Sequence, residues 1–257
     1  MPDASFSANL SGRRILITGA SSGIGAHFAR TIAAHGGEAL MCARRTDRLD
    51  SLAAEIRAGG GSVSCYAMDV RDMASVKSAI AAALQAGPIH GLINNSGVAR
   101  GTPLEREKDS DWDDVIATNL TGARNVAVEV ARAMIAAGQG GSIVNIASIA
   151  GLRQGMHISV YATSKAGLIQ LTKQMALEWA RHKIRVNALA PGYIDTPIND
   201  GYLNSEAGLA MVKRIPQRRI GRLDDLDGPL LLLLSEASAY MTGAVIPVDG
   251  GHLLSPL

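Results

Sequence analysis

The chain has 257 residues, 47% of them hydrophobic and 19% charged, which suits one large α/β domain and argues against disorder. A formal net charge of +2 gives no electrostatic case for a nucleic-acid partner, and 4% aromatic residues leave few platforms for stacked bases. Two cysteines, Cys42 and Cys65, cannot staple a fold of this length and are expected as reduced thiols in a cytoplasmic protein. The first ten residues have neither a basic start nor an apolar run, so no secretory signal is expected. The most apolar stretch, residues 230–234, is far short of the ~20 residues of a membrane span, so no membrane partner is expected either.

In chain order, short apolar runs alternate with longer segments of helical period. Residues 14–18 read as a buried strand, and residues 24–35 as a helix stopped by Gly36-Gly37. A second strand is expected over 38–43 and a helix over 46–58, ended by the glycines at 59–61. A third strand (62–68), a helix (73–86) and a fourth strand (91–94) follow. The second half repeats the rhythm: a helix over about 120–137, a strand over 141–147, a long helix over 160–182, and a strand over 184–189. A helix over 224–236 and a strand over 244–248 close the series.

Strands alternating with helices of this length predict a Rossmann-type, doubly wound parallel sheet of about seven strands with helices on both faces. No linker divides the chain, so a single domain over 1–257 is expected. The least regular stretch, about 192–222, is rich in Pro and Gly and reads as a substrate lid.

The turn between the first strand and helix carries glycines at 19, 23 and 25, in the order G-x-x-x-G-x-G. A tight exit from the strand, close backbone approach to a pyrophosphate and close helix–sheet packing all favour glycine. The helix N-terminus then offers free N–H groups and partial positive charge to phosphates. The expected contacts are Gly19, Ser21, Ser22, Gly23, Ile24 and Gly25. A ligand-free glycine turn is the alternative, and its place after the first strand of the series weighs against it.

Three further pieces join this turn. Asn94-Asn95-Ser96-Gly97 closes the fourth strand, Ser148 follows the fifth, and Tyr161-x-x-x-Lys165 opens the long helix. Together they resemble the short-chain dehydrogenase/reductase family, in its 3-oxoacyl-reductase-like form. Pro191-Gly192 and Val248-Asp249-Gly250-Gly251 stand where that family has similar motifs, so the likeness covers about residues 12–251. Ser96 replaces the more usual alanine, and residues 221–229 lack the more usual Arg-x-Gly-x-Pro pattern.

Tyr161 and Lys165 are four apart on a helix and share one face. A phenol of pKa about 10 needs ~4 kcal/mol to become acidic near neutrality. An ammonium ~4 Å away at an effective dielectric of ~20 supplies about that much. Ser148 can donate to a substrate oxygen as charge develops on it. By resemblance, Asn119 positions a water that links Lys165 to solvent. The group Asn119, Ser148, Tyr161 and Lys165 thus implies hydride transfer between a nicotinamide and a carbonyl or alcohol carbon, with Tyr161 as acid or base. No metal is expected, because the histidines lack ligand spacing.

The tip of the second strand selects the cofactor. Ala43 cannot hold both ribose hydroxyls as an acid would, and leaves room for a 2′-phosphate. Arg44 can pair with that phosphate, with Arg45 beside it. NADP(H) is expected over NAD(H). The resemblance also implies that Asp69, with Val70 beside it, meets the adenine. It further implies that Asn95 and Gly97 line the cleft, as do Tyr161, Lys165, Pro191 and Gly192, and that Ile194 and Thr196 meet the nicotinamide amide or phosphate.

The substrate pocket is expected between residues 97–103, 150–158 and the lid, with Arg153, His157, Tyr193 and Tyr202 as its polar side chains. Arg153 and His157 suit an anionic or acyl-phosphopantetheine substrate, or are plain exposed loop residues. A 3-oxoacyl thioester, a steroid, a sugar and an aryl ketone stay open. Family members pair their long helices into dimers and tetramers, so a homo-oligomer is expected, with the apolar tail 252–257 packed on a neighbour. Two rivals are a non-enzymatic NADP(H) sensor and a Rossmann-like methyltransferase. The first typically loses the tyrosine or lysine; the second generally wants an acid where Ala43 stands.

Overall fold

A computed structural model describes residues 9–196 and 205–255. The strands are β1 (Arg14–Thr18), β2 (Glu38–Ala43), β3 (Ser62–Ala67), β4 (Gly91–Asn94), β5 (Gly141–Ile146), β6 (Ile184–Pro191) and β7 (Val245–Val248). They form one seven-stranded sheet in the order β3-β2-β1-β4-β5-β6-β7. Every neighbouring pair is parallel. The helices are α1 (Gly23–Ala34), α2 (Thr46–Ala58), α3 (Met73–Gln85), α4 (Asp109–Ile116), α5 (Ala123–Ala137), α6 (Ser159–Trp179), α7 (Glu206–Val212) and α8 (Asp227–Leu234).

Parallel neighbours need long crossovers, and the helices supply them while covering both faces of the sheet. Phe28, Ile32, Leu49 and Leu230, from α1, α2 and α8, pack in one core against Ile15 and Ile17. Val76, Ile80, Val126, Val130 and Met175, from α3, α5 and α6, pack in the other against Leu16 and Leu92. Successive β1 residues therefore feed opposite cores, which is why that strand reads as an unbroken apolar run. His27 on α1 bonds Asp227 on α8 at 2.8 Å, and Thr31 reaches the same oxygen at 2.9 Å, locking the first core's helices together. Both cysteines are free thiols, and burial pushes each above its ordinary pKa.

The strand order reverses between β1, which leads to β2 and β3, and β4, which leads the other way. Chain connections leave in opposite directions there and open a crevice at the strands' carboxyl ends. Registers such as Thr18↔Cys42 and Asn94↔Asn145 bring those ends level.

Three elements differ from the sequence reading. The helix expected from about residue 120 begins at Asp109, as α4, and passes through a wide π-helical stretch at Ala117–Gly122 into α5. The run Asp109-Ser-Asp-Trp-Asp-Asp114 hides its apolar period, because only Val115 of α4 is buried. The long helix stops at Trp179 and tightens into a 3-10 turn over Ala180–His182. The stretch 192–222 is not wholly irregular: Ile194 bridges Gly221, and α7 lies between them.

Candidate active site

The glycine-rich turn is built by side chains on two strands. The Thr18 hydroxyl, at the end of β1, accepts from the Asn95 and Ser96 amides beyond β4, each at 3.0 Å. Asn95 Nδ2 returns to the carbonyls of Thr18 at 3.0 Å and Gly19 at 3.3 Å. Gly19 has φ +66°, and a Cβ there would lie 3.0 Å from the Ser96 Cα. A Cβ on Gly25 would collide with the Gly19 carbonyl and stand 2.5 Å from Asn95 Nδ2. The helix start is thus drawn onto the strand so closely that no side chain fits, leaving the N-terminal amides of α1 open to a ligand. Ser22, at the N-cap, makes no side-chain cap bond.

The cleft above has a volume of about 1270 Å³. Gly19, Ser21, Ser22, Gly23 and Ile24 form its floor at one end, with Arg44, Arg45, Asp69 and Val70 beyond. Asn95 and Gly97 line its middle, and Pro191, Gly192, Ile194 and Thr196 its far wall. Gly25 lies beneath the turn and is buried. Arg45 bonds the hydroxyls of Ser21 at 2.9 Å and Ser22 at 3.1 Å, whereas Arg44 pairs with no carboxylate among the described residues. Asp69 is held by Arg71: its Oδ1 accepts from the Arg71 amide at 3.0 Å, and its Oδ2 from the guanidinium at 2.8 Å. That pairing holds the Asp69 carboxyl below its ordinary pKa. Arg71 also lines the cleft and escaped the sequence reading, since an arginine after a strand carries no motif of its own.

Tyr161, Ser148 and Lys165 meet in the middle of the cleft. The Ser148 hydroxyl lies close enough to the Tyr161 phenol to ease its ionisation. Ser148 Oγ also accepts from the Ala150 amide at 3.1 Å, capping the short 3-10 turn Ile149–Gly151. That turn lies against α6 at Lys165: a Cβ on Gly151 would stand 2.7 Å from the Lys165 carbonyl carbon. Gly151 therefore lets the turn that follows Ser148 pack directly on the backbone of α6, a role invisible in sequence because its partner is backbone. Gly151→Ala is expected to cost about 1–3 kcal/mol of stability by overpacking. It should also lower kcat more than it changes cofactor affinity, as read by thermal melts and steady-state kinetics on the same sample.

Lys165 is held by the backbone beside the Tyr161 ring. Its Nζ donates to the Ile146 carbonyl at 2.8 Å and lies 5.7 Å from the Tyr161 ring centroid. Burial lowers its pKa from 10.5 to about 8. Burial also raises the Tyr161 phenol, against the pull of the Ser148 hydroxyl, so that without a ligand the phenol keeps its proton.

Asn119 is fully buried behind this group, within the π-helical stretch, and does not reach the cleft wall. Its Oδ1 accepts from the Val98 amide at 2.8 Å, and its Nδ2 donates to the Val98 carbonyl at 2.9 Å and Ser164 Oγ at 3.0 Å. It ties the loop after β4 to α6 one residue before Lys165. A buried amide row fixes α6 from below: Asn94 donates to Asn145 Oδ1 at 3.0 Å, and Asn145 to Thr172 at 2.8 Å.

On the outer wall, Arg153 does more than face solvent. Its Nη1 donates to the carbonyls of His252 at 3.1 Å, Leu253 at 3.4 Å and Ser255 at 2.8 Å, binding the chain's final turn to the cleft. His252 packs its ring on Tyr193, with centroids 5.8 Å apart. His157 is exposed at φ 63°, and its carbonyl accepts from Thr102 at 2.8 Å, joining the two loops of that wall. Tyr202 lies outside the described residues. Of the tail expected to pack on a neighbour, Leu254 is exposed.

A family model described as short chain dehydrogenase matches residues 13–207. A gluconate 5-dehydrogenase of Gluconobacter oxydans is 39% identical over 249 residues, covering 96% of this chain and 97% of that protein. A 3-oxoacyl-(acyl-carrier-protein) reductase of Thermotoga maritima is 40% identical over 246 residues, covering 95% and 99%. Among solved structures, a gluconate 5-dehydrogenase from Burkholderia cenocepacia in complex with NADP and tartrate superposes with a TM-score of 0.94. It is 37% identical and covers 97% of this chain and 98% of that one. With sheet order, glycine turn and the Ser–Tyr–Lys cluster all in one cleft and near-full-length relatives on either side of the substrate question, this chain belongs to the short-chain dehydrogenase family.

Proposed function

We propose that this protein is an NADP(H)-dependent oxidoreductase that interconverts a carbonyl and a secondary alcohol, with Tyr161 as acid or base. The observation that carries the reading is the convergence of Tyr161, Ser148 and Lys165 on the same cleft as the glycine turn. The cradle fits a dinucleotide: the Gly25 position excludes any Cβ, and the open amides of α1 face the cleft floor. The bound nicotinamide supplies or accepts the hydride. Gly19, Ser21, Ser22, Gly23 and Ile24 hold the pyrophosphate, Asp69 and Val70 border the adenine, and Asn95 and Gly97 lie along the dinucleotide. Pro191, Gly192, Ile194 and Thr196 frame the nicotinamide end. Ser148 donates to the substrate oxygen, and Tyr161 exchanges the proton with it. Asn119 keeps the Val98 loop against α6, and so keeps Lys165 in place.

Arg44 and Arg45 select the 2′-phosphate. Ala43 leaves the space, and Arg44 has its guanidinium uncommitted among the described carboxylates, whereas Arg45 is braced on the two serines. The NADP complex of the Burkholderia relative supports this choice. Arg44→Ala is expected to lower kcat/KM for NADPH by about 10- to 100-fold, as the loss of one charge-assisted pair worth ~1.5–3 kcal/mol implies, and to leave NADH nearly unchanged. Equal losses with both cofactors would refute it.

Among the described residues no helix is long and apolar enough to cross a membrane. A homo-oligomer in the cytoplasm is the setting proposed, with a small carbonyl or alcohol as the other partner. The function itself is tested by following NADPH oxidation at 340 nm against ketones, oxoacyl thioesters, steroids and sugars. NADPH binding without turnover across that panel would favour the sensor.

A further inference from the structure

We propose that the substrate of this cleft carries a carboxylate, and that Arg153 and Arg214 form the subsite that receives it. The inference rests on the oxidoreductase reading and names the substrate class of the same site.

The cleft holds a one-sided set of charges at its outer end. Arg153, Arg214 and His252 all line it, from three separate parts of the chain. They are neighbours: Arg153 bonds the Ser255 carbonyl at 2.8 Å, and the Ser255 hydroxyl is bonded to the Arg214 carbonyl. Both guanidiniums lie close enough to His252 to depress its pKa beyond what burial does, which keeps the imidazole neutral beside them. The nearby acid, Asp249, pulls the imidazole the other way but forms an ion pair with neither arginine; its oxygens accept from the amides of Gly251 at 2.9 Å and Leu253 at 2.8 Å.

Among the described residues, neither Arg153 nor Arg214 forms an ion pair with a carboxylate. On the wall between residues 71 and 100 the arginines are paired: Arg71 has Asp69 and Asp114, and Arg100 has Asp111 and Asp114, whereas Arg44 and Arg45, at the end given to the cofactor, share with Arg153 and Arg214 the lack of a carboxylate. Arg153 spends Nη1 on three carbonyls, which fixes its fork without neutralising it. One guanidinium fixed by the turn and a second, more exposed one beside it, neither in an ion pair among the described residues, suit a planar anion next to a neutral imidazole. The acyl end of a 3-oxoacyl thioester is uncharged and would leave them unpaired. A hydroxy or oxo acid would pair them while presenting its carbinol carbon to Tyr161.

The test needs no turnover. The full chain, saturated with NADP+, is titrated calorimetrically with tartrate and with threitol. These share four carbons and two inner hydroxyls, and differ in carboxylates against alcohols. Tartrate is expected to bind at least tenfold more tightly than threitol. Arg214→Gln is expected to weaken tartrate about tenfold and leave threitol and NADP+ unchanged. Arg153→Gln should weaken tartrate more strongly. If the arginines only shape the wall, each variant weakens both ligands by the same factor, which overturns the proposal. So does equal binding of tartrate and threitol by the unaltered protein. Loss of NADP+ binding in the unaltered protein would instead sink the oxidoreductase reading, and the two failures are thus told apart.

Discussion

Tyr161→Phe is expected to lower kcat by 10²- to 10⁴-fold, the usual contribution of a positioned acid or base, with NADPH affinity kept within a few-fold. The substitution removes only the hydroxyl that meets Ser148 and leaves the ring packing on α6 intact. Its pH signature follows from the group's environment. Burial holds the phenol protonated above its ordinary pKa of 10.0. Carbonyl reduction uses the protonated phenol, so its rate should be flat through neutral pH. Alcohol oxidation uses the phenolate, so its rate should climb as the medium becomes alkaline. Both limbs can be read at 340 nm with one enzyme preparation. Turnover of the phenylalanine variant near that of the unaltered protein would remove Tyr161 from the reaction.

Lys165→Met is expected to abolish most activity while making the ligand-free protein more stable at pH 7. The lysine is 4% exposed, and its amine meets one carbonyl, that of Ile146, at 2.8 Å. Its pKa in the fold is about 8, against 10.5 for the free side chain. The unfolded chain therefore binds more protons between those values, and stability rises with pH across that window. Below about pH 8 the full penalty for burying the ammonium is present. At 1.36 kcal/mol per pKa unit it amounts to about 3 kcal/mol. Methionine removes that penalty but leaves the Ile146 carbonyl without its donor, at a cost of about 1 kcal/mol. The net gain is about 1–3 kcal/mol, or a Tm higher by a few degrees. It should shrink as pH rises from about 8 and vanish above 10.5, where the lysine is neutral in both states. A lower Tm at pH 7 would show that the ammonium is paired better than this geometry indicates.

These two expectations describe one arrangement. The cation is held on the Ile146 carbonyl beside the Tyr161 ring, and Gly97 leaves room next to it: a Cβ there would lie 3.5 Å from Nζ and 3.4 Å from Asn119 Oδ1. A buried, poorly compensated lysine that costs stability is what a site held ready for charge would keep. The acidification expected from sequence places an ammonium ~4 Å from the phenol; the structure adds that the carbonyl of Ile146, at the end of β5, holds that ammonium, and no spacing rule reveals this.

The alternation of strands and helices, the glycine turn and the same-face placement of Tyr161 and Lys165 were all legible in the amino-acid sequence, because each depends on residues within a few positions of one another. Helix and strand periods, chain stops at glycine and the four-residue helical repeat are local physics. What only the tertiary structure decided depends on contacts between distant residues. Arg153 finds the final turn 99 to 102 residues away, and turns from an exposed loop cation into a strut of the cleft. Asp69 and Arg71 are near in sequence, but their common link to Asp114 needs α4, whose acidic face concealed it. Gly151 matters because a backbone elsewhere fills the space a side chain would need. Asn119 looked like the start of a helix and is instead a buried clamp inside one, since it answers to Val98 and Ser164 rather than to its own helix end. Local pattern thus determines which elements form and which chemical groups they carry, while the partners of those groups, and hence their charge state and orientation, are set by packing.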